Sequence, residues 1–168
     1  PRTRGGSGLM AFHYIAIDGP IGAGKTTVVD RLAERLDAHK VLEDWATNPF
    51  LRDFYDGKPG VAFQAELFFL LSRYRQQQEL TQRQLFAQAT LSDYVFEKSR
   101  LFAYLNLDDS ELLIFDKLFS LLSESVPKPD LVVYLQAPTE VLMKRVKARG
   151  RPEESGFSEE YLGEVNRA

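Results

Sequence analysis

The pattern G-x-x-x-x-G-K-T, from Gly19 to Thr26, constrains the fold of this chain more than any other feature. An apolar run from Phe12 to Ile17 precedes it and reads as a buried parallel strand, while Val28, Val29, Leu32 and Leu36 follow at the spacing of one helix face. A backbone that turns from strand to helix with glycine at 19, 22 and 24 aims successive N–H groups inward at a phosphate. The first helical turn adds unsatisfied amides and the positive end of a dipole. Lys25 is placed to reach β- and γ-phosphates, and the Thr26 hydroxyl to ligate Mg²⁺. The stretch Gly19-Pro20-Ile21-Gly22-Ala23-Gly24-Lys25-Thr26-Thr27 is therefore expected to hold a nucleoside triphosphate.

Beyond the loop, strands alternate with helices, which predicts an α/β, doubly wound parallel sheet with helices on both faces. Lys40 to Glu43 reads as a short strand, followed by a loop through Asn48-Pro49. Glu43 thus ends a strand, where open α/β sheets bind ligands, although a solvated loop carboxylate reads the same way. Residues 61 to 80 form a long helix with Phe63, Leu67, Leu70, Leu71 and Tyr74 on one face. Ala89 to Ser92 is a third strand ending at Asp93, either a Mg²⁺-directed carboxylate or a helix cap. Two helices, 95 to 107 and 111 to 122, break at Asp108-Asp109-Ser110. The second is more apolar than a solvated helix should be, so the core or a partner covers it.

Asp130 to Leu135 is expected to be a buried parallel strand, and Thr139 to cap the helix after it. Arg145 and Arg149 share a face of that helix, where like charges repel. With Arg151 beyond Gly150, they predict a mobile, arginine-rich lid that closes on phosphate. Glu159 to Arg167 is a last short helix.

Composition narrows the partners. A formal charge of -3 gives no polybasic footprint for nucleic acid or an anionic membrane, and a small anionic substrate fits better. Without cysteine there is neither a disulfide framework nor a thiolate metal site, which is compatible with a cytoplasmic setting. His13 and His39 stand apart without a partner motif, so a zinc site is not expected. No apolar run has the length of a membrane span. Residues 1–10 read as a flexible leader or cloning remnant, and residues 11–168 as a single domain.

The phosphate loop at 19 to 26, Leu-Glu-Asp-Trp-Ala-Thr-Asn-Pro-Phe-Leu at 42 to 51, Leu-Ser-Arg-Tyr-Arg at 71 to 75, and Arg145-x-x-x-Arg149-Gly-Arg151-x-Glu-Glu154 together resemble the deoxyribonucleoside kinase family. The likeness runs from about Tyr14 to Val165 and is nearest to the bacterial branch acting on deoxyadenosine, deoxyguanosine or deoxycytidine. It implies a P-loop kinase fold related to thymidylate kinase, ATP as donor with Mg²⁺, and a homodimer joined through helices. It also implies that Glu43 takes the proton of the nucleoside 5′-hydroxyl, while Lys25, Arg145, Arg149 and Arg151 neutralise the transferring group. Tyr55 and Glu154 fall where the family holds the sugar 3′-hydroxyl.

The chain departs from the family pattern in three places. Ungapped alignment puts Glu66 where a glutamine usually pairs with the base, with Gln64 the other candidate on a different side of the helix. A carboxylate accepts hydrogen bonds only, so Glu66 suits the adjacent donors of guanine and predicts a lean toward deoxyguanosine. Ser92-Asp93-Tyr94 replaces the family's acidic-Arg-Ser motif, leaving Asp93 on the Mg²⁺ side or the Glu43 side, with Arg73 a further substrate contact. The family's fifth strand is not found before Ala168. Two other readings compete. One is a nucleoside monophosphate kinase of the thymidylate type, its acceptor phosphate held by Arg73 or Arg52. The other is a nucleotide switch that phosphorylates nothing.

Overall fold

A computed structural model of the chain describes residues 12–83, 89–154 and 156–168, so the expected leader at residues 1–10 lies outside the described residues. Four strands form one parallel sheet: β1 (Tyr14–Asp18), β2 (His39–Val41), β3 (Thr90–Ser92) and β4 (Leu131–Tyr134), in the order β2-β3-β1-β4. The helices are α1 (Lys25–Leu36), α2 (Leu51–Tyr55), α3 (Ala62–Arg83), α4 (Lys98–Asn106), α5 (Asp109–Ser123), α6 (Thr139–Arg149) and α7 (Glu159–Arg167). A 3-10 turn, Pro152–Glu154, precedes α7.

Alternation along β1 divides the core. Ile15 and Ile17 face Val29 and Ala33 of α1, whereas Tyr14 and Ala16 face Leu80 of α3 and Tyr94. Helices therefore cover both faces, as the alternating pattern predicts. A further cluster joins α3, α4 and α5 through Leu70, Ala103, Phe115 and Phe119, and Leu142, Met143 and Leu162 bind α6 to α7 beneath Ile21 of the phosphate loop. Each of the larger aliphatic and phenylalanine side chains among these contributes about 1.5–3 kcal/mol by leaving water.

Three expectations change. The residues of β4 are all exposed, because it stands at the sheet edge with β1 on one side only; it is parallel but not buried. Thr139 is the first helical residue of α6 and Pro138 its cap. The five-residue helix α2, interrupting the loop after Asn48-Pro49, was not foreseen. The break before α5 is as expected: Asp108 caps the helix by accepting from the amides of Ser110 and Glu111, and Glu111 Oε2 accepts in turn from the Asp108 amide. No helix among the described residues is long and apolar enough to cross a membrane.

Candidate active site

The carboxyl ends of β1, β2 and β3 open onto one cleft of about 260 Å³, with the phosphate loop at one end and apolar side chains at the other. The loop holds its shape through glycines that no other residue replaces easily. Gly19 and Gly22 take φ of 146° and 83°, and a Cβ there would lie 2.4 Å from the Leu135 carbonyl oxygen and 2.8 Å from that of Leu142. Lys25 Nζ donates to the carbonyls of Gly19 and Pro20 at 2.8 and 2.9 Å. Burial, with Lys98 nearby, pulls the Lys25 ammonium down to about 7 against the attraction of Glu43, Asp18 and Asp93.

Glu43 lies two residues beyond β2, at the middle of the cleft. Arg73 Nε, from α3, donates to its Oε1 at 2.9 Å, and Lys98 Nζ, from α4, to its Oε2 at 3.2 Å. Burial raises the pKa of this carboxyl, yet Lys98 and then Arg73 outweigh it and hold the group below the ordinary carboxylate range. Arg73 also donates to Ser99 Oγ at 2.7 Å. Asp93 steadies both sides of the cleft. Its Oδ2 accepts from Thr26 Oγ1 at 2.6 Å and its Oδ1 from the Glu43 amide at 2.7 Å. Asp93 is thus no helix cap; it ties the phosphate loop to the loop bearing Glu43.

The apolar end is walled by Leu51, Phe54, Ala65, Phe69 and Phe102. Glu66 sits among them, 3% exposed, its Oε1 accepting from Asn106 Nδ2 at 2.8 Å and its Oε2 without a hydrogen-bond partner. Desolvation pushes this carboxyl up to about 7, more than Asn106 and Arg73 lower it. Gln64 is exposed and does not line the cleft, so its candidacy for the base falls. Two residues apart on a helix, the side chains diverge by more than half a turn.

Arg149, Arg151, Glu154 and Tyr55 close the third side. Arg149 Nε donates to Glu154 Oε2 at 3.0 Å, Arg151 Nη1 lies 3.5 Å from Glu154 Oε1, and the Arg151 guanidinium covers the Trp45 ring at 3.7 Å. Arg145 Nη1 reaches the Gly22 and Ala23 carbonyls at 3.4 and 3.3 Å. Repulsion between Arg145 and Arg149 is therefore relieved within the chain, and an anion is not required to explain their spacing. Burial raises the Tyr55 phenol well above its usual value, aided by Tyr161 and Glu154.

One cleft thus gathers Lys25, Thr26, Glu43, Tyr55, Glu66, Arg73, Asp93, Arg149, Arg151 and Glu154. Arg52 stays outside it, exposed on α2 and 3.9 Å from Asp56. Sequence reasoning missed Lys98, Asn106, Phe69 and Phe102. Lys98 carried a signal, because a lysine opening a helix faces the positive end of its dipole and needs an anionic neighbour. Asn106 ends α4 and carried none.

A family model described as deoxynucleoside kinase matches residues 15–168. A deoxyguanosine kinase of Bacillus subtilis is 36% identical over 153 residues, covering 90% of this chain and 74% of that protein. A deoxyadenosine kinase of Dictyostelium discoideum is also 36% identical, over 154 residues, covering 89% of this chain and 62% of that protein. Among solved structures, deoxyadenosine kinase from M. mycoides with dCMP and dCDP bound gives a TM-score of 0.80 at 24% identity, covering 92% of this chain and 80% of that one. The same enzyme with dATP gives 0.79 at 23%, covering 92% and 80%. At that identity the likeness speaks for the fold.

Proposed function

The chain belongs to the deoxynucleoside kinase family, and on that premise we propose that it transfers the γ-phosphate of ATP to the 5′-hydroxyl of a purine deoxyribonucleoside, deoxyguanosine above the others, giving the 5′-monophosphate. The observation that carries the reading is the position of Glu43, a carboxylate fixed by Arg73 and Lys98 between the phosphate loop and an aromatic-walled end holding Glu66.

Glu43 accepts the hydrogen bond of the 5′-hydroxyl, aims it at the γ-phosphate and takes its proton as the bond forms. Its depressed pKa makes it a weak base, which suffices because a loose phosphoryl-transfer transition state asks mainly for positioning and charge neutralisation. Lys25 supplies part of that neutralisation, joined by Arg145, Arg149 and Arg151 when their segment closes as a lid. Tyr55 and Glu154 hold the sugar 3′-hydroxyl.

Thr26 and Asp93 fit Mg²⁺: their oxygens lie 2.6 Å apart, and no group of three or more metal-binding side chains occurs among the described residues. A hard ion that keeps several waters and takes phosphate oxygens needs no fuller protein set. Bound there, it would neutralise charge on the β- and γ-phosphates.

A monophosphate acceptor is disfavoured, because Arg73 is turned to Glu43 and Ser99 and Arg52 is outside the cleft. The same proposal includes a homodimer and a cytoplasmic setting, where ATP and deoxynucleosides meet.

The four deoxynucleosides and their monophosphates, each assayed with ATP and Mg²⁺, test the reading, together with Glu43→Gln. Deoxynucleosides should be phosphorylated, deoxyguanosine best, and Glu43→Gln should lower kcat by about 10²–10⁴-fold. Turnover of monophosphates only, or wild-type turnover by the variant, would overturn it.

A further inference from the structure

Glu66 lines the apolar end of the cleft while only 3% exposed, and one of its carboxylate oxygens, Oε2, is buried with no hydrogen-bond partner. Such an oxygen is costly to bury unless a ligand meets it. Its other oxygen is committed to Asn106, which is also 3.2 Å from the Tyr161 hydroxyl. A proton on this carboxyl therefore belongs on Oε2, the atom without a partner.

We propose that the protonation state of Glu66 selects the base, its ionised form favouring guanine and its neutral form admitting adenine. This rests on the kinase reading above and deepens it. An ionised carboxylate offers two acceptors, which match the adjacent N1–H and N2–H donors of guanine but leave adenine's N1 acceptor facing a negative oxygen. The neutral acid offers Oε2–H to adenine N1 and takes the N6–H at Oε1, two bonds in place of one and a repulsion. Neutral Glu66 does not exclude guanine, whose O6 and N1–H form the same donor-acceptor pair.

The surroundings put the change within reach of neutral pH. Desolvation raises the Glu66 carboxyl to about 7. The charged and titratable groups facing it are Arg73 of its own helix, Glu43 beyond β2, Lys98 of α4, Tyr55 of α2 and Tyr161 of α7. Glu43 is held below its ordinary range and both phenols above theirs, so none of these three changes charge near neutrality. Lys25, also near 7, lies at the phosphate end and scales both substrates alike, so it cancels in their ratio.

The test measures kcat/KM for deoxyguanosine and deoxyadenosine, with ATP and Mg²⁺, from about pH 6 to about pH 8.5. The deoxyguanosine-to-deoxyadenosine ratio should rise at least tenfold across that range, approaching tenfold per pH unit above about 7. Glu66→Gln, which keeps a donor and an acceptor at every pH, should flatten the profile and move preference toward deoxyadenosine. Calorimetric Kd values for the two nucleosides on wild-type protein without ATP should follow the same trend, independent of the variant's folding. A wild-type ratio constant within about twofold, or a Glu66→Gln profile as steep as wild type, overturns this proposal and leaves the kinase reading standing. Failure to phosphorylate any deoxynucleoside at any pH overturns both.

Discussion

A carboxylate taken out of water either finds cations or keeps its proton, and Glu43 and Glu66 take opposite courses within one cleft. Glu43 meets Lys98 and Arg73 and stays ionised; Glu66 meets one amide and is pushed up to about 7. That difference has a stability consequence with a definite sign. The unfolded chain releases the Glu66 proton as pH passes about 4.5, whereas the native chain keeps it until about 7. Through that window the native state binds more protons, so stability falls as pH rises, by on the order of 3 kcal/mol from this one group. Glu66→Gln removes the slope. Urea denaturation of both proteins should show the variant gaining stability relative to wild type between about pH 5 and about pH 8, and an unchanged difference would mean that Glu66 is solvated. At this scale the sequence told part of the story. The places of Lys25 and Thr26 were legible from glycine spacing, whereas Glu43, which alone reads equally as a solvated loop carboxylate, was singled out through the family resemblance. Arg73 was named and Lys98 carried a signal, but their pairing with Glu43 was not readable, because they come from helices 30 and 55 residues away whose mutual packing no local pattern encodes.

Elements position those residues through a few close approaches. The turn Pro152–Glu154 is brought against α2 where Gly156 meets Tyr55: a Cβ at 156 would lie 2.4 Å from the Tyr55 carbonyl oxygen. Backbone atoms at that distance have to move apart, carrying Glu154 away from Tyr55. Gly156→Ala should therefore raise KM for the deoxynucleoside by roughly tenfold, about 1.4 kcal/mol, while KM for ATP changes much less because the phosphate loop rests on Leu135, just beyond β4, and on α6. Steady-state kinetics with each substrate varied in turn measures the split, and equal increases would place the strain elsewhere. The elements themselves were largely readable: short apolar runs and period-3.6 patterns located four strands and six of the seven α-helices among the described residues to within a few residues. The seventh, α2, is five residues long and too short for a period to register. β4 was misjudged because an apolar run reports an affinity for burial and cannot say whether a neighbouring strand is there to provide it.

At the scale of the whole molecule, exposed apolar side chains of the described residues cluster most densely in two places, β4 and the outer face of α5. Phe115 and Phe119 point inward to α3 and α4, yet Leu113, Ile114, Leu118 and Leu121 are 60%, 52%, 36% and 70% exposed. Ile114, Leu118 and Leu121 recur at four and three residues and so form one stripe along a capped, rigid helix. A stripe of this kind pairs readily with its own copy about a two-fold axis, since one patch then serves both sides. On this reading α5 would form the centre of the homodimer proposed above. Leu121→Glu combined with Ile114→Glu would set four carboxylates against one another at that axis. Both positions are exposed in the single chain, so circular dichroism should show the fold retained. Sedimentation should then find dimeric wild type and monomeric variant at the same concentration, and a monomeric wild type, or a variant that remains dimeric, would remove α5 from the interface.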